Sequence, residues 1–231
     1  SELMNVLYVL DTIGGEIKKQ IPVSGAVNRD WEAISLFGNK LYIGDFGNNM
    51  NERKDMCLYR VNRNDIATLN EVTAEKMSIS YREQKEFPPN DSERHFDAEA
   101  MTYFEGQLWI FTKNSTKPFD GISFVYMVQF EANQTKTLSK VSDLKLNKTS
   151  YLKDAVTSAC TDDHSIVLTT YNRMMKLDFP KQGLSKSTNS WLKLTRLLLK
   201  QGKKFLKLRL SSENCKLKKV QKLQLLMVSI S

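Results

Sequence analysis

"DWEAISLFGNKLYIGDFGN", Asp30 to Asn48, returns 67 residues later as "DAEAMTYFEGQLWIFTKNS", Asp97 to Ser115. The two stretches align without a gap: Asp30 falls on Asp97, Glu32 on Glu99, Ala33 on Ala100, Phe37 on Phe104, Leu41 on Leu108 and Ile43 on Ile110. Six identities in nineteen positions, with Tyr42 facing Trp109 as well, make an internal repeat. A third round aligns more loosely at a further offset of 58, setting Ile166 on Leu108, Leu168 on Ile110 and Asn172 on Asn114.

Around these anchors the apolar residues alternate in short runs broken by turn chemistry, which is the signature of strands. "NVLYVLD" and "EIKKQIPV" flank "TIGG"; "AISLF" and "KLYIGDF" flank "GN"; "CLYRVN" and "KMSISYR" follow. After the loop "EFPPNDSERHF" the order resumes with "EAMTYF", "QLWIFTKN", "FVYMVQF" and "LSKVSDLKL", then with "AVTSACT", "SIVLTTYN" and "MMKLDF". No amphipathic helix is expected before residue 180. A four-strand unit recurring at this spacing predicts an all-β fold, a β-propeller of four-stranded antiparallel blades. In such an array each unit buries its faces against its neighbours. Residues 1–180 then hold half a blade, two full blades and the start of a further one, an incomplete part of a five- or six-bladed whole.

The net charge of +8 is lopsided. Residues 1–180 carry 21 Lys+Arg against 25 Asp+Glu, whereas residues 181–231 carry 13 against 1. The basic character therefore belongs to the tail, and nucleic acid is not an expected partner of the rest. No apolar run reaches the length of a membrane span. Ser1 to Leu10 lacks the pattern of a signal peptide, so a leader has been removed or was never present. Cys57, Cys160 and Cys215 form no CxxC pair, so no zinc site is recognisable. A Cys57–Cys160 bridge is open, with two separately buried thiols preferred. His95, beside the acidic motif, reads as a loop histidine making one hydrogen bond. Four sequons, at Asn90, Asn114, Asn133 and Asn147, stand little above the number that composition alone predicts and are weak evidence for glycosylation.

Residues i and i+2 of a strand share a face, so Asp30 and Glu32, and likewise Asp97 and Glu99, are expected to point together, with Asp45 on the next strand. Crowded carboxylates raise one another's pKa values and need neutralising. A hard cation such as Ca²⁺ is one answer, with Asn48 and Asn49 of "GDFGNN" adding amide oxygens. Pairing with Arg53, Lys113 and backbone N–H groups is the other, and the preferred one. Trp31 and Trp109 read as packed residues before ligand-lining ones.

"NRDWEAIS" (28–35), "LYIGDFGNNMNER" (41–53), "LYRV" (58–61), "FDAEAM" (96–101), "LWIFTKN" (108–114), "VYMVQF" (125–130) and "VTSACTDDHSIVLTTYNRMMKLDF" (156–179) together resemble a family of secreted bacterial β-propeller proteins with no assigned activity. The likeness covers about residues 5–180. It implies a propeller and a periplasmic or extracellular location. More distantly, the chain is similar at the level of fold to calcium-dependent phytase and phosphotriesterase propellers.

The tail departs from that family. Residues 181–231 hold 13 leucines and 11 lysines and keep only "LRLSSEN" (208–214) of the expected pattern. They read as the rest of the propeller in a shifted frame; a continuous frame on re-sequencing, with an agreeing mass, would reject this. The rival is a basic amphipathic helix for a membrane surface or nucleic acid, but its leucines do not hold one face.

The function expected first is a binding module for a small molecule, glycan or protein, rather than an enzyme. The alternative is a calcium-dependent hydrolase of phosphoesters or lactones, with the metal polarising the substrate oxygen and one acid as general base.

Overall fold

A computed structural model describes residues 5–11, 13–161 and 165–178, together with the strand backbones of 193–197 and 227–228. In chain order the elements are β1 (Val6–Leu10), β2 (Ile17–Ser24), β3 (Trp31–Phe37), β4 (Lys40–Asp45), β5 (Cys57–Asn62), α1 (Arg63–Thr68), β6 (Val72–Thr73), β7 (Glu75–Tyr81), β8 (Asp97–Phe104), β9 (Gln107–Lys113), β10 (Ile122–Val128), β11 (Thr135–Leu138), β12 (Lys140–Lys145), α2 (Tyr151–Asp154), β13 (Val156–Thr161), β14 (Ser165–Thr170), β15 (Met174–Asp178), β16 (Lys193–Leu197) and β17 (Met227–Val228).

These strands form four sheets, ordered β17-β1-β2-β6, β3-β4-β5-β7-β11, β8-β9-β10-β12 and β13-β14-β15-β16. Sequential strands within each sheet run antiparallel, and no sheet closes on itself among the described residues. Each sheet is therefore built from strands taken in chain order, as the alternating runs predict, and β3/β4 and β8/β9 are tight hairpins with two-residue turns. The two helices are short. The first is capped by Asn62, whose side chain accepts from the Asn64 N–H at 3.0 Å, in place of the helix-free stretch expected there.

The sheets are held face to face by three apolar seams. Leu7, Ile21 and Val23 meet Trp31, Ile43, Tyr59 and Val61 between the first and second sheets. Tyr42, Leu58, Met77 and Ile79 meet Met101, Ile110 and Tyr126 between the second and third. Phe111, Val125 and Leu144 meet Val156, Ile166 and Leu168 between the third and fourth. Strands in the middle serve two seams at once: on β9, Leu108 and Ile110 face one, Trp109 and Phe111 the other. Each fully buried Ile, Leu or Phe of this kind contributes about 1.5–3 kcal/mol.

The strict alternation expected at the acidic motifs is broken. A β-bulge lies between Trp31 and Ala33, and another between Ala98 and Ala100, so Glu32 and Glu99 are the extra residues. A third lies between Val156 and Ser158, at Thr157. The bulge turns the strand over: Trp31 packs in the first seam and Ala33 in the second, and Ala98 packs in the second seam and Ala100 in the third. Asp30 and Glu32 are therefore not on one face by simple i, i+2 spacing, and neither are Asp97 and Glu99.

"LSKVSDLKL" is likewise not one strand. The chain changes sheets at Ser139, with Leu138 buried in the second seam and Leu144 in the third. Its first part, β11, lies parallel on β7; β6 lies parallel on β2 in the same way. Cys57 is a free, buried thiol, so the Cys57–Cys160 bridge is not formed. Cys160 is disulfide-bonded, which leaves the two-thiol expectation standing for Cys57 alone. The readings of residues 181–231 lie outside the described residues, except for the backbone pairing of β16 with β15 and of β17 with β1.

Candidate functional site

The first strands β3, β8 and β13 stand side by side, and the acids gather where these strands begin and β4 and β9 end. Asp45, the last residue of β4, is 1% exposed. Its Oδ1 accepts from the Asp30 N–H at 2.8 Å and from Arg53 Nη1 at 3.3 Å, while Cys57 Sγ donates to Oδ2 at 3.8 Å. Burial pushes the Asp45 carboxyl above its ordinary range, opposed by the Asp30 N–H and the Arg53 guanidinium. Arg53 is fixed further by Gly47 O at 2.8 Å and Asp55 Oδ1 at 3.1 Å. One arginine thus ties down the whole "GDFGNN" turn.

Glu99 and Lys113 form a second pair, Nζ to Oε1 at 2.6 Å, with the two side chains only 4% and 7% exposed. The bulge aims Glu99 at Lys113, which ends the neighbouring strand β9. The ammonium also lies 5.4 Å from the Tyr151 ring centre and 5.7 Å from that of Tyr171. Burial alone would lower the lysine pKa, but Glu99 and Tyr151 outweigh it and hold it above the ordinary value.

Asp97 is wholly buried. Its Oδ1 accepts from the Asn48 N–H at 2.7 Å, a bond that crosses from the turn after β4 to the start of β8. Its Oδ2 has no hydrogen-bond partner. Burial, then the charge of Glu99, push this carboxyl up to about 7. Asp30 is half-buried; burial raises its pKa, while Arg53 and a hydrogen bond with Glu32 pull it down. Gly47 is required here, since a Cβ on it would lie 2.3 Å from Asp30 Oδ2.

The four repeat acids do converge electrostatically: Asp30 feels Glu32, Glu99 and Asp45, and Asp97 feels Glu99 and Asp30. Of the two asparagines, Asn48 is 2% exposed and central, its Oδ1 accepting from the Arg53 N–H at 2.9 Å and its Nδ2 donating to Phe96 O at 3.3 Å. Asn49 is exposed. Among the described residues, no group of three or more His, Cys, Asp or Glu side chains is placed to hold a metal ion.

Sequence reasoning missed Asn51. It adopts a left-handed backbone, φ 56°, and is fully buried; its Oδ1 accepts from the Phe96 N–H at 2.7 Å and its carbonyl from Gln84 Nε2 at 2.7 Å. The available signal was an asparagine in a tight loop, the residue that tolerates this conformation after glycine. Tyr151 and Tyr171 were also missed; both sit in segments outside the strong repeat. His95 stacks on Phe124 at 4.3 Å and faces Asp120 at 3.3 Å, and burial lowers its pKa. Trp31 and Trp109 are packed in seams, their indole N–H groups donating to Val27 O and Phe104 O at 3.2 Å. Asn114 is 1% exposed, which removes it as a glycosylation site.

No family model matches the chain, and no curated protein matches it. Among solved structures, an exo-β-1,3-galactanase from Phanerochaete chrysosporium, bound to β-1,3-galactotriose, has 11% sequence identity and a TM-score of 0.42. The match covers 76% of this chain and 39% of that one, so the chain spans well under half of it. A likeness at that level carries no argument about fold or function. No helix among the described residues is long and apolar enough to cross a membrane.

Proposed function

We propose that the four sheets are consecutive blades of a β-propeller, and that the chain is a secreted or periplasmic binding module whose ligand meets the end where β3, β8 and β13 begin. The location rests on the motif resemblance. The observation that carries the binding reading is how the charges divide. Two of the deeply buried ones are paired internally, Glu99 by Lys113 and Asp45 by Arg53, and so act as fasteners. Asp30 and Glu32, less deeply buried and hydrogen-bonded to each other, form with the half-exposed Tyr171 a polar rim with an aromatic face, suited to a small polar molecule, a glycan or a protein loop.

A calcium-dependent hydrolase of phosphoesters or lactones is the second reading, favoured by the donor-less Oδ2 of Asp97 amid other acids.

Calorimetric titration of the full chain with Ca²⁺, beside a Glu32→Gln, Glu99→Gln double variant, separates the two. The binding-module reading expects no saturable heat and a large loss of thermal stability in the variant. Tight Ca²⁺ binding that the variant loses replaces it with the hydrolase. A glycan array probed with wild type, Glu32→Gln and Tyr171→Ala then tests the rim; a glycan held equally by all three rejects this end as the binding face.

A further inference from the structure

A cleft of about 80 Å³ opens between the third and fourth sheets, where β12 and β14 end, β15 begins and α2 closes. Its polar wall carries Lys145, Asp154, Thr170 and Arg173, and its apolar wall Leu146 and Met175, both packed on the third seam. At roughly 10–15 Å³ for each water held, the space suits a molecule of only a few heavy atoms.

The arginine is set in place from two sides. Arg173 Nη1 pairs with Asp154 Oδ1 at 3.1 Å, and Asp154, 1% exposed, is itself held by the N–H groups of Thr149 and Ser150 at 2.8 and 3.4 Å on Oδ2. The Arg173 N–H donates to Thr170 Oγ1 at 3.1 Å, while the Thr170 N–H donates to Arg173 O at 2.9 Å. A guanidinium has five N–H donors in a planar fork, so the bond to Asp154 leaves further donors for a second pair of oxygens. With a lone pair engaged by Arg173, the Thr170 hydroxyl presents its own proton as a donor. The facing wall is fixed as well, the Leu146 N–H donating to Gly121 O at 2.7 Å.

Charge then selects the ligand. Lys145 and Arg173 stand against Asp154 alone, so the lining carries one positive charge in excess. One anionic charge balances it, and a planar carboxylate matches the arginine fork. Leu146 and Met175 supply a surface for a short hydrocarbon tail.

We propose that this cleft binds the carboxylate of a small aliphatic acid, with Arg173, Lys145 and Thr170 on the carboxylate oxygens and the tail on Leu146 and Met175. The cleft uses neither Asp30, Glu32 nor Tyr171, so it stands whether or not the rim binds a ligand.

Titration of the full chain with propionate at constant ionic strength, followed by the amide resonances of Thr170 and Arg173, tests this. Saturable shifts are expected, with propionamide, the neutral isostere, binding at least about tenfold more weakly. Lys145→Met should weaken propionate about threefold or more, and Arg173→Lys, which keeps a cation beside Asp154, about tenfold. Lys148→Met, an exposed lysine outside the cleft, should stay within about twofold of wild type. Absence of saturable shifts, equal binding of propionamide, or wild-type affinity in both cleft variants overturns the proposal. Inorganic phosphate held more tightly than propionate also overturns it, by making the cleft a phosphate site. If Arg173→Lys does not fold, Lys145→Met decides alone, since its side chain is exposed.

Discussion

Removing the Glu99 carboxylate takes from the buried Lys113 ammonium the counter-charge it is hydrogen-bonded to. Glu99→Gln should therefore cost about 3–5 kcal/mol in urea unfolding, whereas Glu99→Leu with Lys113→Met should come back toward wild type. Asp97 has the opposite character. Its folded pKa of about 7 lies above the unfolded carboxyl value, so the folded chain binds its proton more tightly. Stability from this group is full below about pH 4 and falls as pH rises toward 7. Asp97→Asn should match wild type near pH 4 and melt higher at pH 8, by an amount on the order of 4 kcal/mol or less. A difference that does not change with pH would remove Asp97 as its source. Lys113 was legible as a partner of the acids because the repeat sets it next to the position matching Asp45, and Arg53 because it is a cation close in sequence to Asp45. Asn51 was not, because its role depends on a left-handed backbone and on a bond to Phe96, 45 residues away.

At the scale of elements, strand alternation located nearly every strand but mis-assigned two things. It could not see the bulges, since a bulge adds one residue without changing residue type. Yet the bulge fixes what the acids can do: it places Glu99 against Lys113, and its third occurrence falls on Thr157, where no acid stands. Alternation also ran β11 into β12, since Leu138 and Leu144 are both apolar and both in phase; what parts them is the seam each one enters. Leu138→Ala should accordingly weaken the contact between the second and third sheets, by about 2–4 kcal/mol in chemical denaturation. The matching change at the exposed Val141, on the next strand, should stay within about 0.5 kcal/mol.

Across the whole molecule, sheets stacked in chain order leave the middle the best protected. β9 feeds two seams and is buried from Leu108 onward, so its amides should be the slowest to exchange. The repeat made this layered order readable from sequence, while the crossing strands were not, because β6 and β11 are too short to show a period. Those crossings have a consequence for how the chain is made. Ser24 meets Thr73 only 49 residues further along, and Ser80 meets Thr137 only 57 further along. A nascent chain leaving the ribosome therefore keeps the outer borders of the first two sheets open until the strands that cover them have emerged. Assembly runs from the N-terminus like a row of shingles, each course nailed down by the one laid after it.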